Sequence, residues 1–322
     1  MTYSSGGLIQ ATDFNGFAST TAGANVNDLW STGSSDKGWG QTALSTVSAS
    51  GTVTATNWAS LVNTISSMAS QTGTTITSRT APVTGNLIQI LAALNTDLTN
   101  ITNNRRNAVG NGSQYTGWTG TNSKTAATSG ATWSFTITNT VTFASAAAAR
   151  YFFNGGGRIK LDFSKTATGA LGDPEWNDLA NTLCGDIYFT GGTGTATIAG
   201  TAYTGTTKIG GTGTPNTLAT TTGFYDLTAG GAGVIIYKQF ADTVPYTSNY
   251  IQVTASLNAA STVLTFATVW SASDGDPISG GTAASGATPG TAPCTICTYY
   301  PPSTTYLTSA SWGTPTVAAT TV

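Results

Sequence analysis

The chain has 322 residues, a formal net charge of -2, only 7% charged residues and no histidine. Lacking histidine, and with Glu175 as its one glutamate, it is without the commonest general base, the commonest metal ligand and every Ser-His triad. No basic cluster beyond Arg105-Arg106 offers a phosphate-tracking surface, and no apolar run nears the roughly 18 residues of a membrane span, so neither nucleic acid nor membrane insertion is expected.

In chain order, Met1-Thr2-Tyr3-Ser4-Ser5 lacks a basic stretch followed by an apolar one, so no secretory signal is expected. Leu8 and Ile9 lead to Thr12-Asp13-Phe14, where Thr12 can cap a short helix. Trp30 to Gln41 reads as a glycine-punctuated loop whose two tryptophans pack back on the helices. Trp58, Leu61, Val62, Ile65, Met68 and Ala69 recur at spacings of three and four, one apolar face of a helix that Gly73 stops. Leu87, Leu91, Leu94, Leu98 and Ile101 then form a 3.5-residue seam between Pro82 and Gly110. That seam either zips sister chains together or packs on the Trp58 to Met68 helix.

Residues 1–110 therefore form a helical attachment or oligomerisation region, and 111–130 a polar, glycine-containing linker. Residues 131–322 read as a threonine- and glycine-rich β domain, with a possible division into two lobes near 191–215. The expected fold class is mainly β, a sandwich-like body with an α-helical N-terminal region. Strands are expected at Trp133 to Ile137, Val141 to Ala144, Arg158 to Phe163, Asp186 to Thr190, Gly233 to Gln239, Ile251 to Ser256 and Thr262 to Trp270. In Arg150-Tyr151-Phe152-Phe153-Asn154-Gly155-Gly156-Gly157, the aromatics are read as filling a core from both faces of a strand, before a glycine turn or bulge. Asp173 to Leu179 reads as a short helix, and 191–213 as a glycine-threonine hairpin.

Few constellations suggest chemistry. Cys294-Thr295-Ile296-Cys297 has redox spacing but lies among prolines instead of opening a helix, so a local disulfide or two inert thiols is expected. Asp274-Gly275-Asp276 lacks the spacing of a calcium loop and reads as a turn. Asp173, Glu175 and Asp178 form an acidic group that glycoside hydrolysis could use, but they read more simply as charges in a helical first turn. Tyr246, Tyr250, Tyr299 and Tyr300 are conceivable sugar contacts, with core packing the simpler reading of each. No catalytic residue, metal ligand or cofactor is assigned.

Three blocks carry a resemblance. They are Leu29 to Gln41 with Val53 to Leu61, Val141 to Ser145 before Ala149 to Gly156, and Glu175 to Leu179 before Gly185-Asp186-Ile187. Together they resemble virion structural proteins of tailed bacteriophages, often cyanophages, in tails, baseplates and fibres. The resemblance implies a non-enzymatic protein made in the host cytoplasm, residing in the virion and meeting other virion proteins. It also implies a homo-oligomer, a trimer above all, and possible contact with a host surface glycan or protein. A neck, collar or capsid-decorating protein is the first alternative, and a cellular adhesin or surface-layer subunit the second.

Overall fold

Among the described residues the chain opens with helices α1 (Ala11–Ala18), α2 (Val26–Trp30), α3 (Ala55–Thr72) and α4 (Leu94–Asn103). The computed structural model describes residues 10–19, 25–85, 93–110, 118–123, 133–166, 173–272 and 293–321. Helix α1 is capped by Gln10, whose backbone N–H is held by Asp13 at 2.9 Å, so Thr12 lies inside the helix and not at its cap. Helix α3 starts on a reciprocal pair: the Thr54 hydroxyl accepts from the Asn57 amide and the Asn57 carboxamide accepts from the Thr54 amide. It ends at Gly73, in the left-handed conformation. Its predicted face, Trp58, Leu61, Val62, Ile65, Met68 and Ala69, is buried, with Phe14 of α1 edge-on to Trp58 at 5.6 Å.

The leucine seam is shorter than its spacing suggests. Ala93 has φ of 62°, outside helical geometry, so α4 begins at Leu94 and no continuous helix runs from Pro82 to Ile101. Leu94, Leu98 and Ile101 are buried in the same core as α3, which makes them unavailable to a sister chain. Leu87 and Leu91 lie outside the described residues.

The remaining strands are β1 (Trp118–Ser123), β2 (Trp133–Thr142), β3 (Arg158–Ser164), β4 (Asp186–Phe189), β5 (Ala196–Ile198), β6 (Thr201–Tyr203), β7 (Thr206–Ile209), β8 (Thr217–Leu218), β9 (Val234–Phe240), β10 (Tyr250–Leu257), β11 (Val263–Ala272), β12 (Cys294–Tyr300) and β13 (Thr316–Thr321). Helix α5 (Ala146–Asn154) precedes β3, and α6 (Asp173–Asp178) runs on into a π-helical turn at Leu179–Leu183 before β4. One antiparallel sheet has the order β1-β12-β3-β4-β7, a second the order β13-β2-β11-β10-β9-β8, and β5-β6 is a separate hairpin. Alternation explains the long strands: β10 reads half-exposed then buried from Tyr250 to Leu257. The inner faces of the two large sheets meet through rings. Phe163 stacks on Tyr237 at 5.9 Å, and Phe189 meets Phe266 edge-on at 5.3 Å.

Several boundaries differ from the sequence reading. Helix accounts for 27% of the chain and strand for 29%, so "mainly β" understates the helices. Within the expected linker, β1 pairs with β12 from Trp118↔Tyr299 to Ser123↔Cys294. Both large sheets mix strands from before and after residues 191–215, so no lobe division falls there. One core joins the N-terminal helices to both sheets. Long-range pairing decides these points, and no local pattern encodes which strand a segment will meet.

Candidate functional site

The Arg150–Gly157 segment ties the molecule together. As far as Asn154 it belongs to helix α5, not to a strand, and the three glycines form the turn that leads into β3. The Ser145 hydroxyl accepts from the Ala148 amide at 3.0 Å, and a run of alanines then favours the first turn. Ala148, Ala149, Phe152 and Phe153 fall four apart in pairs, which sets all four on one buried face. Phe152 and Phe153 stand edge-on to each other at 5.1 Å. Phe153 stacks on Phe224 at 4.8 Å, Phe152 packs on Phe143 at 5.3 Å, and Tyr299 of β12 closes the cluster at 6.1 Å from Phe152. Such offset and edge-on pairs contribute beyond their buried area.

At the C-terminal end of α5, Asn154 makes contacts in every direction its amide allows. Its Nδ2 donates to the carbonyls of Ser35 (3.3 Å), Lys37 (2.9 Å) and Gly38 (3.0 Å). Its Oδ1 accepts from the Tyr225 hydroxyl at 2.6 Å, and its carbonyl accepts from the buried Trp39 indole at 2.9 Å. Arg150 donates to the carbonyls of Thr32, Ser35 and Lys37. The Gln71 carboxamide at the end of α3 donates to the Gly155 carbonyl at 3.0 Å. Gly156 follows with φ of 99°, and a Cβ there would lie 2.4 Å from that of Ala108, so no larger residue fits. Trp39 is buried in the core that holds the N-terminal helices, in keeping with the expected packing, and its indole also reaches across to α5, with Trp30 edge-on at 6.3 Å.

A charged knot flanks this junction. Asp36 accepts from Arg105 at 2.6 Å and from Arg106 at 2.8 Å. Burial pushes the Asp36 carboxyl up, but the Arg105 hydrogen bond and charge, with Arg106 beside it, outweigh burial and hold it below its ordinary value. It therefore stays an acceptor and is no base at neutral pH. The cavity among Asp36, Arg106, Asn154 and Tyr225 has a volume of about 20 Å³, room for one water and for no substrate. The arrangement fastens loop 31–41 to α5 and to Arg105 and Arg106 after α4, while Gln71 ties the end of α3 to Gly155.

A second polar cluster lies on the outer face of the β12-β3-β4 sheet. The Arg158 guanidinium, 6% exposed, sits 4.9 Å from the Tyr300 ring, 5.3 Å from that of Tyr203 and 6.0 Å from that of Tyr188. Lys160 Nζ lies 3.5 Å from both Asp162 and Asp186. Burial lowers the Lys160 affinity for its proton, and Asp186 with Asp162 more than reverse that.

The remaining residues singled out by sequence fall as follows. Cys294 and Cys297 are three apart on β12 and so face opposite sides, with Cys297 fully buried. Three strand steps separate their Cα atoms by about 10 Å, beyond the roughly 7 Å a disulfide can bridge. Burial pushes the Cys184 and Cys297 thiols up to about 12, which keeps both unreactive. Glu175 is buried in the first turn of α6; burial raises its pKa, while Thr243 hydrogen bonds act against that. The side chain of Asp173, and Asp274 with Asp276, lie outside the described residues. Tyr299 faces the core, Tyr300 joins the Arg158 cluster, Tyr246 packs half-buried on the core, and Tyr250 carries Lys238 Nζ at 3.8 Å from its ring.

Tyr225 carries no signal in the sequence, whereas Asp36 lies in the Leu29 to Gln41 block, and the Ala-Ala-Phe-Phe stripe was there to indicate a helix. Comparison of the chain with protein-family models, with curated proteins and with solved structures found no match in any of the three.

Proposed function

We propose that this protein is a structural component of a tailed-phage virion, a tail-fibre or baseplate-peripheral part with no catalytic turnover. It would be made in the host cytoplasm, act in the particle and offer a rigid, sandwich-like β surface to neighbouring virion proteins and to the host. One observation carries the reading: the Arg150–Gly157 segment fastens the Trp30 to Gln41 loop by Asn154, Arg150 and Trp39. Two of the blocks that resemble phage virion proteins thus meet in one joint, whose charged groups are engaged in holding shape. A rigid element shown in several copies lets weak contacts add by avidity. Self-association, as a trimer or otherwise, would use surfaces other than Leu94, Leu98 and Ile101, which the core of one chain consumes.

Gold-labelled antibody on intact virions tests this. Gold at the tail or its appendages is the expected result. Gold at the head or neck would replace the reading with a collar or decoration role, and gold on uninfected cells would replace it with an adhesin.

A further inference from the structure

Strand β13 is an edge strand that is lightly held. Among the described residues it pairs with β2 alone, from Thr316↔Thr142 to Thr321↔Ile137, and β1 of the other sheet lies beside it without pairing. Its outward side chains Thr316, Ala318 and Thr320 are exposed. Among the described side chains from Gly313 to Thr320, only Pro315 and Val317 are buried. The backbone ladder therefore does most of the holding, and any identical strand would reproduce it.

The contact beneath its centre is poor. Ala319 lies opposite Asn139 of β2, with Phe266 of β11 opposite Asn139 on the other side. Asn139 is fully buried, and neither its Oδ1 nor its Nδ2 has a hydrogen-bond partner. The methyl of Ala319 can satisfy neither atom, so covering Asn139 costs free energy. Lifting β13 lets water reach the carboxamide, which offsets part of the cost of release. Weakly held segments of this kind open ahead of the fold as a whole.

The connection before β13 supplies a hinge. Trp312, 1% exposed, anchors the chain in the core, and β13 begins at Thr316. Gly313 between them has φ of 65°, with nothing within 4 Å of the place a Cβ would occupy. Turned from that conformation into an extended one, residues 313–315 span up to about 10 Å and carry β13 off its own β2. From Thr316 to Thr321 there is no charge and no proline, the usual devices that keep an edge from pairing with another chain.

What β13 leaves behind is a slot on β2 shaped for β13 itself. A second copy of this chain is therefore the occupant: its β13 regains the same register, the same Val317 contact and the same ladder. No like charges meet, because β2 carries none either. We infer that copies of this chain associate by exchanging β13, each lending the strand to the β2 of a neighbour. Reciprocal exchange closes a dimer, and exchange passed round a ring closes a trimer. This gives the proposed virion part a means of self-association, and rests on that role only for where the copies meet.

The test uses two full-length variants, Thr140→Cys and Ala318→Cys, each carrying Cys294→Ser to remove the half-buried native thiol. They are unfolded in urea, mixed, refolded together at high concentration and oxidised. Residues 140 and 318 are opposed on the solvent side of the sheet, and opposed Cα atoms about 4.5–5.5 Å apart lie within disulfide reach. Exchange brings them together from different chains. A non-reducing denaturing gel should therefore show about tenfold more cross-linked dimer from the mixture than from either variant alone. Thr142→Cys with Thr316→Cys, the next opposed pair on that face, repeats the measurement. Inserting glycines after Gly313 should lower the cross-linked fraction several-fold, because a longer connection folds back on its own chain more readily. Mixtures no richer in dimer than their components, for both pairs, would overturn the inference, as would a fraction that the added glycines leave unchanged. Virion labelling is independent of this result, so either idea can fail alone.

Discussion

Replacing Asn154 with alanine should loosen the joint between loop 31–41 and the β body more than any surface substitution. The Ser35 and Lys37 carbonyls keep Arg150 as a donor, but the buried Gly38 carbonyl loses its Asn154 donor and the Tyr225 hydroxyl loses its 2.6 Å acceptor. Each orphaned group costs about 1–3 kcal/mol, so Asn154→Ala should destabilise by about 2–6 kcal/mol. Equilibrium urea unfolding followed by tryptophan fluorescence reads this as a lower midpoint at unchanged slope. Tyr225→Phe removes one contact, and the double variant should lose less than the sum of the singles, with a coupling of about 0.5–3 kcal/mol. A loss below about 0.5 kcal/mol for Asn154→Ala, the range of ordinary surface changes, would refute the reasoning.

Three further outcomes follow from the packing. Leu98→Ala should cost about 2–5 kcal/mol in urea unfolding while sedimentation shows the parent's oligomeric state, because Leu98 is buried within one chain. Arg79 pairs with Asp97, and both side chains are 6% exposed. Asp97 also accepts from the Thr77 amide at 3.3 Å, so Arg79→Met, which strands the carboxylate, should cost about 3–5 kcal/mol by the same measurement. Burial lowers the Lys165 pKa from 10.5 to about 8. Between those values the unfolded chain holds a proton on Lys165 that the folded chain lacks, so the contribution of this one group to stability rises with pH across that window. The difference in unfolding free energy between the parent and Lys165→Met, which cancels the opposing Cys184 and Cys297 thiols, should therefore move in favour of the parent from pH 8 to 10.5, and a difference that stays constant across that window would disprove the assignment.

Legibility followed the range of the interaction. The α3 face, the Gly73 stop and the strands at Arg158, Val234, Tyr250 and Val263 were readable because side-chain periodicity writes them locally. The aromatic run of α5 was misread because two consecutive phenylalanines fit no alternation, and the flanking Ala148 and Ala149 carried the helical signal. Strands β1, β12 and β13 escaped notice: Trp118–Ser123 looks like a polar connection until β12 pairs with it. Of the junction, Asn154 and Trp39 stood in segments singled out by sequence, whereas Tyr225 and Gln71 reach it from 71 and 84 residues along the chain.

Sequence alone determined that this protein has little acid–base equipment, threonine-rich strands and an amphipathic α3, since composition and short-range period are properties of the chain itself. Tertiary structure alone decided that Leu94, Leu98 and Ile101 face inward, that Cys294 and Cys297 cannot meet, and that the N-terminal helices share the sheets' core. Apolar surface is buried against whatever partner the whole fold brings near, and a seam of leucines does not specify which partner that is.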